Sequence, residues 1–170
     1  MDKVAEQAFR DFVVARSQAL LRTAYLLVGN RAQAEDLLQT VLVKTYVAWP
    51  RIRDAAALEG YVRRALTTTA ISWWRGRPYR ERPMQTLPEQ GTVDGPEGRI
   101  ERDAMWLHLR ALPVKQRAVL VLRFYEGLSE AEIAEVLGIS RGTVKSHASR
   151  ALATLRSRIE SENREMGVSL

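Results

Sequence analysis

The chain predicts an all-α fold, two small helical domains joined by a flexible linker, and three observations carry that prediction. Apolar residues recur at helical spacing over most of the 170 residues, and strand-like alternation is almost absent. At 77–98 the run RPYRERPMQTLPEQGTVDGPEG holds four prolines and no sustained periodicity, too long an irregular stretch for one compact domain. Beyond it, LSEAEIAEVLGISRGTVKSHASRALATL at 128–155 reads as two short helices around a glycine turn. The predicted division is therefore a domain at 1–77, a linker at 78–98, a domain at 99–160 and a frayed polar tail at 161–170.

The first helix is expected from about Val4 to Val28, with Phe9, Phe12, Val13, Leu20, Ala24 and Leu27 as its buried stripe. Gly29 ends it, and Asn30 caps a second helix from about Arg31 to Ala48 that stops at Trp49-Pro50. On this helix Ala34, Leu38, Val41, Leu42 and Thr45 face inward. Asp36, Gln39, Thr40, Val43 and Val47 form the opposite side. Two valines among small polar groups on a solvent face point to a protein-docking surface. Stray surface valines are the competing reading.

A connector from Arg51 to about Ala56 leads to a third helix ending near Arg75. Leu58, Val62, Ala65, Leu66, Thr69 and Trp73 are its predicted buried face. Arg63, Arg64, Thr67, Thr68, Ile71, Trp74 and Arg75 fall outside or on the flanks, with Trp49 and Tyr61 nearby. Arginines supply charge for phosphates and an exposed tryptophan supplies a platform for bases, the pairing that single-stranded nucleic acid requires. Trp73 and Trp74 lie about 100° apart on a helix, so both cannot be centred on one buried face.

After the linker, helices are expected at about Ile100–Leu112, Val114–Glu126, Ser129–Leu137 and Arg141–Ile159. Ser129 and Glu132 make a capping box, Gly138 provides the turn, and Ser140 caps the last helix. Val144, Ala148, Ala151 and Leu155 recur on its buried side, with His147 at the edge of that side. Gly142, Lys145, Ser146, Ser149 and Arg150 lie opposite, short or basic groups that allow approach to phosphates and base edges. An ordinary antiparallel helix pair is the competing reading. The two caps and the glycine turn at this spacing favour DNA.

Charge agrees with a polyanionic partner. The net charge is +6; 1–78 carries twelve Lys/Arg against seven Asp/Glu, 79–98 two against four, and 99–170 twelve against nine. With no cysteine, disulfides and thiolate metal sites are excluded. No catalytic constellation, metal-ligand set or phosphate loop is evident, so no enzyme activity, cofactor or metal is expected. No run of 18 apolar residues exists, and the N-terminus lacks a signal-peptide core, so the expectation is a cytoplasmic protein with no membrane insertion.

Three segments together, AEDLLQTVLVKTY at 34–46, YVRRALTTTAISWWR at 61–75 and LPVKQRAVLVLRFYEGLSEAEIAEVLGISRGTVKSHASRAL at 112–152, resemble the extracytoplasmic-function sigma factors of the sigma-70 family. AYLLVGN at 24–30 is similar to the actinobacterial E-type branch. The resemblance implies that Asp36, Gln39, Thr40 and Val43 dock on the β′ clamp helices of RNA polymerase core. It implies that 49–75 recognises and melts the −10 element, through Trp49, Arg63, Arg64, Thr67, Thr68, Ile71, Trp74 and Arg75. The linker would thread towards the RNA exit path. The last domain would sit on the β flap and read the −35 duplex through Arg141, Thr143, Lys145, Ser146, Ser149 and Arg150. An anti-sigma partner follows by family analogy alone. Thr40 stands where the family usually has an acidic residue, Thr68 where asparagine is common and Ser72 where aspartate is common. The alternative is a free-standing helix-turn-helix regulator of duplex DNA, which the docking face and the aromatic-basic helix disfavour.

Overall fold

A computed structural model describes residues 2–75, 104 and 106–167. Helix α1 spans Lys3–Val28 and is started by Asp2, whose carboxylate accepts from the Ala5 N–H at 2.7 Å. Only its last third is buried, from Leu20 onward; Phe9, Phe12 and Val13 are half-buried at the core edge. Gly29, at φ +78°, ends the helix, its N–H donating to the Tyr25 carbonyl. Asn30 then caps α2, Arg31–Ala48, accepting from the Gln33 N–H at 3.1 Å. A tight turn at Trp49–Arg51 follows. Helix α3, Ala55–Arg75, starts on Asp54, which accepts from the Ala57 N–H.

In the C-terminal half a short helical turn at 106–109 precedes α4, Val114–Leu120. The expected helix to Glu126 does not run through as one α-helix: it widens to a π turn at Val121–Tyr125. Helix α5, Glu130–Leu137, has the full capping box, with Ser129 and Glu132 each accepting from the other's backbone N–H. Gly138, at φ +67°, turns the chain, and α6 runs from Arg141 to Glu165, its first turn closed by Ser140. The tail therefore does not fray at Ser161. SENRE contains neither glycine nor proline, so nothing in the backbone stops the helix before Gly167. The expected helix start at Ile100 and the linker at 78–98 lie outside the described residues.

The described residues are helical, as predicted, but the two halves do not stand apart. One apolar core joins Leu20–Val28 of α1, Leu37 and Val41 of α2, and Val62, Leu66 and Trp74 of α3 to Trp106, Leu109, Leu120 and Ala151. Helix α3 packs against both α4 and α5. A second cluster, Val119, Leu122, Leu128, Ile133, Ala134, Val144 and Ala148, holds the helix-turn-helix together.

Candidate nucleic-acid interface

Helix α2 shows the two faces that its periodicity predicts. Ala34, Leu37, Leu38, Val41, Leu42 and Thr45 are buried. Asp36, Gln39, Val43 and Val47 are exposed, Val43 by 62% and Val47 by 67%. Thr40 is half-buried, and its hydroxyl donates to the Asp36 carbonyl at 2.9 Å. Exposed valines on a helix whose other side is fully packed are apolar area with no intramolecular use.

Helix α3 departs from its predicted wheel. Arg64 and Thr68 are exposed and Arg63 is half-buried. Thr67, Ile71 and Trp74, expected outside or on the flanks, are 0%, 8% and 5% exposed. Thr67 also bonds back to the Arg63 carbonyl at 2.8 Å. Trp74 is not an open platform, because the C-terminal half covers it: its ring lies 6.1 Å from that of Trp106, and the Arg117 guanidinium carbon lies 4.5 Å from its centroid. Trp73 takes the half-buried position instead. Trp49 is half-buried in an aromatic group, edge-on to Phe9 at 5.3 Å and tilted against Phe12 at 5.8 Å. Arg75 closes α3.

Four residues at this junction drew no notice as site candidates in the sequence. Arg117 is 1% exposed and donates to the carbonyls of Leu27, Leu109 and Leu112 at 2.8, 3.1 and 3.1 Å. Trp106 lies so close to Gly29 that a Cβ there would meet its ring at 1.9 Å. Glu126 accepts from the Thr23 hydroxyl and faces Arg63 at 3.6 Å. Arg117 and Trp106 each sit in an apolar stretch, and that was the only available signal.

Helix α6 keeps its predicted faces except at Leu155, which is half-buried, and it runs beyond the expected end at Ile159 to Glu165. Val144, Ala148 and Ala151 are buried; Arg141, Gly142, Lys145, Ser146, Ser149 and Arg150 are exposed, and Thr143 is half-buried beside the Ser140 cap. Glu130 of α5 receives Arg123 at 2.9 Å and lies 3.9 Å from Lys145. The Arg123 hydrogen bond holds its carboxyl below the usual range, with Lys145 adding to the effect against the opposing pull of burial. Glu132 is lowered by its bonds to the Ser129 backbone and side chain, the electrostatic mark of the capping box. His147 shifts down, chiefly through burial and then through the cations Lys115 and Arg150. Lys145 remains two-thirds exposed, so the outer side of α6 is a cationic, short-chained surface with room for a groove. Among the described residues no group of three His, Cys, Asp or Glu side chains could hold a metal ion. Among them, too, no helix is long and apolar enough to cross a membrane.

The family pattern described as Sigma-70 region 2 matches residues 12–78, and that described as Sigma-70, region 4 matches residues 102–155. The RNA polymerase sigma-E factor of Streptomyces avermitilis is 43% identical over 155 residues, covering 91% of this chain and 87% of its own. Its counterpart in Streptomyces coelicolor is 44% identical over 148 residues, covering 87% and 84%. Among solved structures, the sigma factor RpoE of Bartonella quintana, in complex with the anti-sigma factor NepR, superposes with a TM-score of 0.70 at 23% identity, over 91% of this chain and 98% of that one. CnrH, in complex with the cytosolic domain of CnrY, gives 0.67 at 22%, over 92% and 90%.

Proposed function

This chain belongs to the sigma-70 family, in the small two-region class that resembles the actinobacterial sigma-E branch, and on that premise we propose which of its surfaces performs each step of initiation. It is an RNA polymerase sigma factor: it binds core polymerase and promoter DNA and directs promoter-specific initiation. The division of labour is the proposal. The outer face of α2, with Asp36, Gln39, Thr40 and Val43, docks on the β′ clamp helices. Segment 49–75 reads and opens the −10 element, with Arg63 and Arg64 on phosphates; Trp74, enclosed by the C-terminal half in this structure, is given no base contact. The domain at 99–160 sits on the β flap and reads the −35 duplex through Arg141, Thr143, Lys145, Ser146, Ser149 and Arg150. The protein binds and positions; it performs no covalent chemistry, and it works in the cytoplasm.

The single observation that carries this reading is α6. Its apolar side is locked in the second core while its capped first turns and cationic side stay open. That is the geometry of a helix presented to a major groove. The β-flap and −35 assignment is tested by transcription with core polymerase on templates changed one −35 base at a time. Arg150→Ala and Lys145→Ala are expected to fold normally. A lost base contact costs about 1–3 kcal/mol and relaxes one position, whereas a lost phosphate contact weakens every template and lowers the salt dependence. Full activity of both variants on all templates would refute α6 as the reading helix. In a separate pull-down with core polymerase, Asp36→Arg is expected to reduce retention without loss of helicity; wild-type retention removes α2 as the docking face.

An inhibitory protein partner fits as well. The relatives RpoE and CnrH were each solved with a bound partner, RpoE's being the anti-sigma factor NepR. This chain offers an apolar groove of about 260 Å³ between Leu26, Leu109, Val121 and Leu152, rimmed by Phe124 at 63% exposure. An amphipathic helix would fill such a groove.

A further inference from the structure

We infer that Glu130, at the start of α5, is a specificity-determining residue of the duplex-reading surface: its carboxylate tethers Lys145 of α6 and keeps that cation from gripping the phosphates of every sequence alike. Its effect on DNA rests on the −35 reading of α6 given above; the tether itself rests on contacts within the chain.

Three elements meet at this one carboxylate. Arg123 of the π turn donates to Oε1 at 2.9 Å, a bond that fixes how the carboxylate lies. The second oxygen, Oε2, faces Lys145, whose Nζ stands 3.9 Å away. Arg123 is itself restrained, its guanidinium carbon 5.6 Å from the centroid of the Phe124 ring. The Glu130 carboxyl lies below the usual range, through the Arg123 bond first and, against the pull of burial, through Lys145 and Arg141 of α6. It is therefore ionised at neutral pH. An acid in the first turn of a helix is ordinary, because it complements the helix dipole. The dipole accounts for an acid at 130 but not for cations converging on it from two other elements. The cap does not need Glu130 either, since Ser129 and Glu132 complete the capping box. The π turn acquires a use here, as the segment that carries the orienting arginine.

A lysine is a flexible point charge that can reach any phosphate near it. Phosphate contacts carry no sequence information; contacts at base edges do. Lys145 is 67% exposed on the outer side of α6, so without a tether its ammonium has wide freedom. At a matching −35 site Lys145 acts from its tethered position. On any other duplex it must leave the carboxylate to reach a phosphate, and the ion pair is lost. Glu130 thus weakens binding to the wrong sequence more than to the right one.

The full chain is titrated by fluorescence anisotropy with a −35 duplex and with a scrambled duplex of equal length and composition, over a range of salt concentrations. Glu130→Gln keeps the Ser129–Glu132 cap and should keep wild-type helicity. It should bind the scrambled duplex about two- to five-fold more tightly, the scale of one exposed ion pair, with the −35 duplex little changed. Its salt slope on the scrambled duplex should steepen by about one, as the released lysine takes a phosphate. The same loss of discrimination should appear in transcription by reconstituted holoenzyme on templates changed at single −35 bases. Glu135→Gln, exposed on the same helix, makes the same change in net charge and should shift neither quantity. In a Lys145→Ala background, Glu130→Gln should have no effect. Unchanged discrimination and slope in Glu130→Gln, an equal change in Glu135→Gln, or a gain that survives Lys145→Ala overturns this role for Glu130 and leaves α6 as the reading helix. Wild-type binding of the −35 duplex by both Lys145→Ala and Arg150→Ala overturns the −35 reading itself.

Discussion

His147 sits where burial and charge act in the same direction, both favouring its neutral form in the folded protein. The ordinary value is 6.5, and the folded value lies below it. The unfolded chain therefore binds the proton more readily. The stability from this site is complete above the ordinary value and is lost as pH falls through the folded one. We expect the melting temperature of the wild type to fall more than that of His147→Gln between about pH 7.5 and about pH 5. Parallel curves for the two proteins would show that His147 does not titrate against the fold. Three positions earlier on the same helix, Val144 is 0% exposed in the second core. Val144→Asp leaves a buried unpaired carboxylate, an error of about 3–5 kcal/mol, and should abolish the helicity of the C-terminal half by circular dichroism.

At the scale of elements, local chemistry sets the start and stop of nearly every helix. Asn30, Ser129 and Ser140 each accept a backbone N–H three residues on, and Gly29 and Gly138 take the left-handed conformation that ends a helix. These signals lie within a few residues of each boundary, which is why α2, α5 and the start of α6 were legible in the sequence. Ser140→Ala removes the bond to the Thr143 N–H. It should cost about 1 kcal/mol in denaturant unfolding and fray the first turn of the reading helix. Binding to a −35 duplex should weaken in parallel; an unchanged midpoint would show that water replaces the cap.

At the scale of the whole molecule, a single apolar core runs through both halves. The protein should therefore unfold in one calorimetric transition, with the measured enthalpy equal to the van't Hoff value. Gly29→Ala tests this twice over. Its φ of +78° strains a side chain, and its new Cβ would occupy the place of the Trp106 ring. The variant should separate the halves and split the transition in two; a single unchanged transition would mean that the Trp106 contact does not couple them.

The sequence by itself determined the helices, their caps, the two faces of α2 and the open side of α6. Each depends on residues within about one turn of one another, or on an apolar stripe that meets one neighbouring surface. It also supported the three motifs whose order matches the sigma-70 pattern. Only the tertiary structure decided the burial of Thr67, Ile71, Trp74 and Arg117. A helical wheel gives the angle of a side chain about its axis, but not how many sides of that helix are covered. Helix α3 is packed by α1 and α2 on one side and by α4 and α5 on another, so Trp74 is enclosed although it lies off the first buried stripe. Arg117, a residue type almost never fully buried unless paired, found its partners at Leu27, ninety positions away in the chain. Contacts of that range depend on how whole helices dock, and no local pattern of residues specifies them.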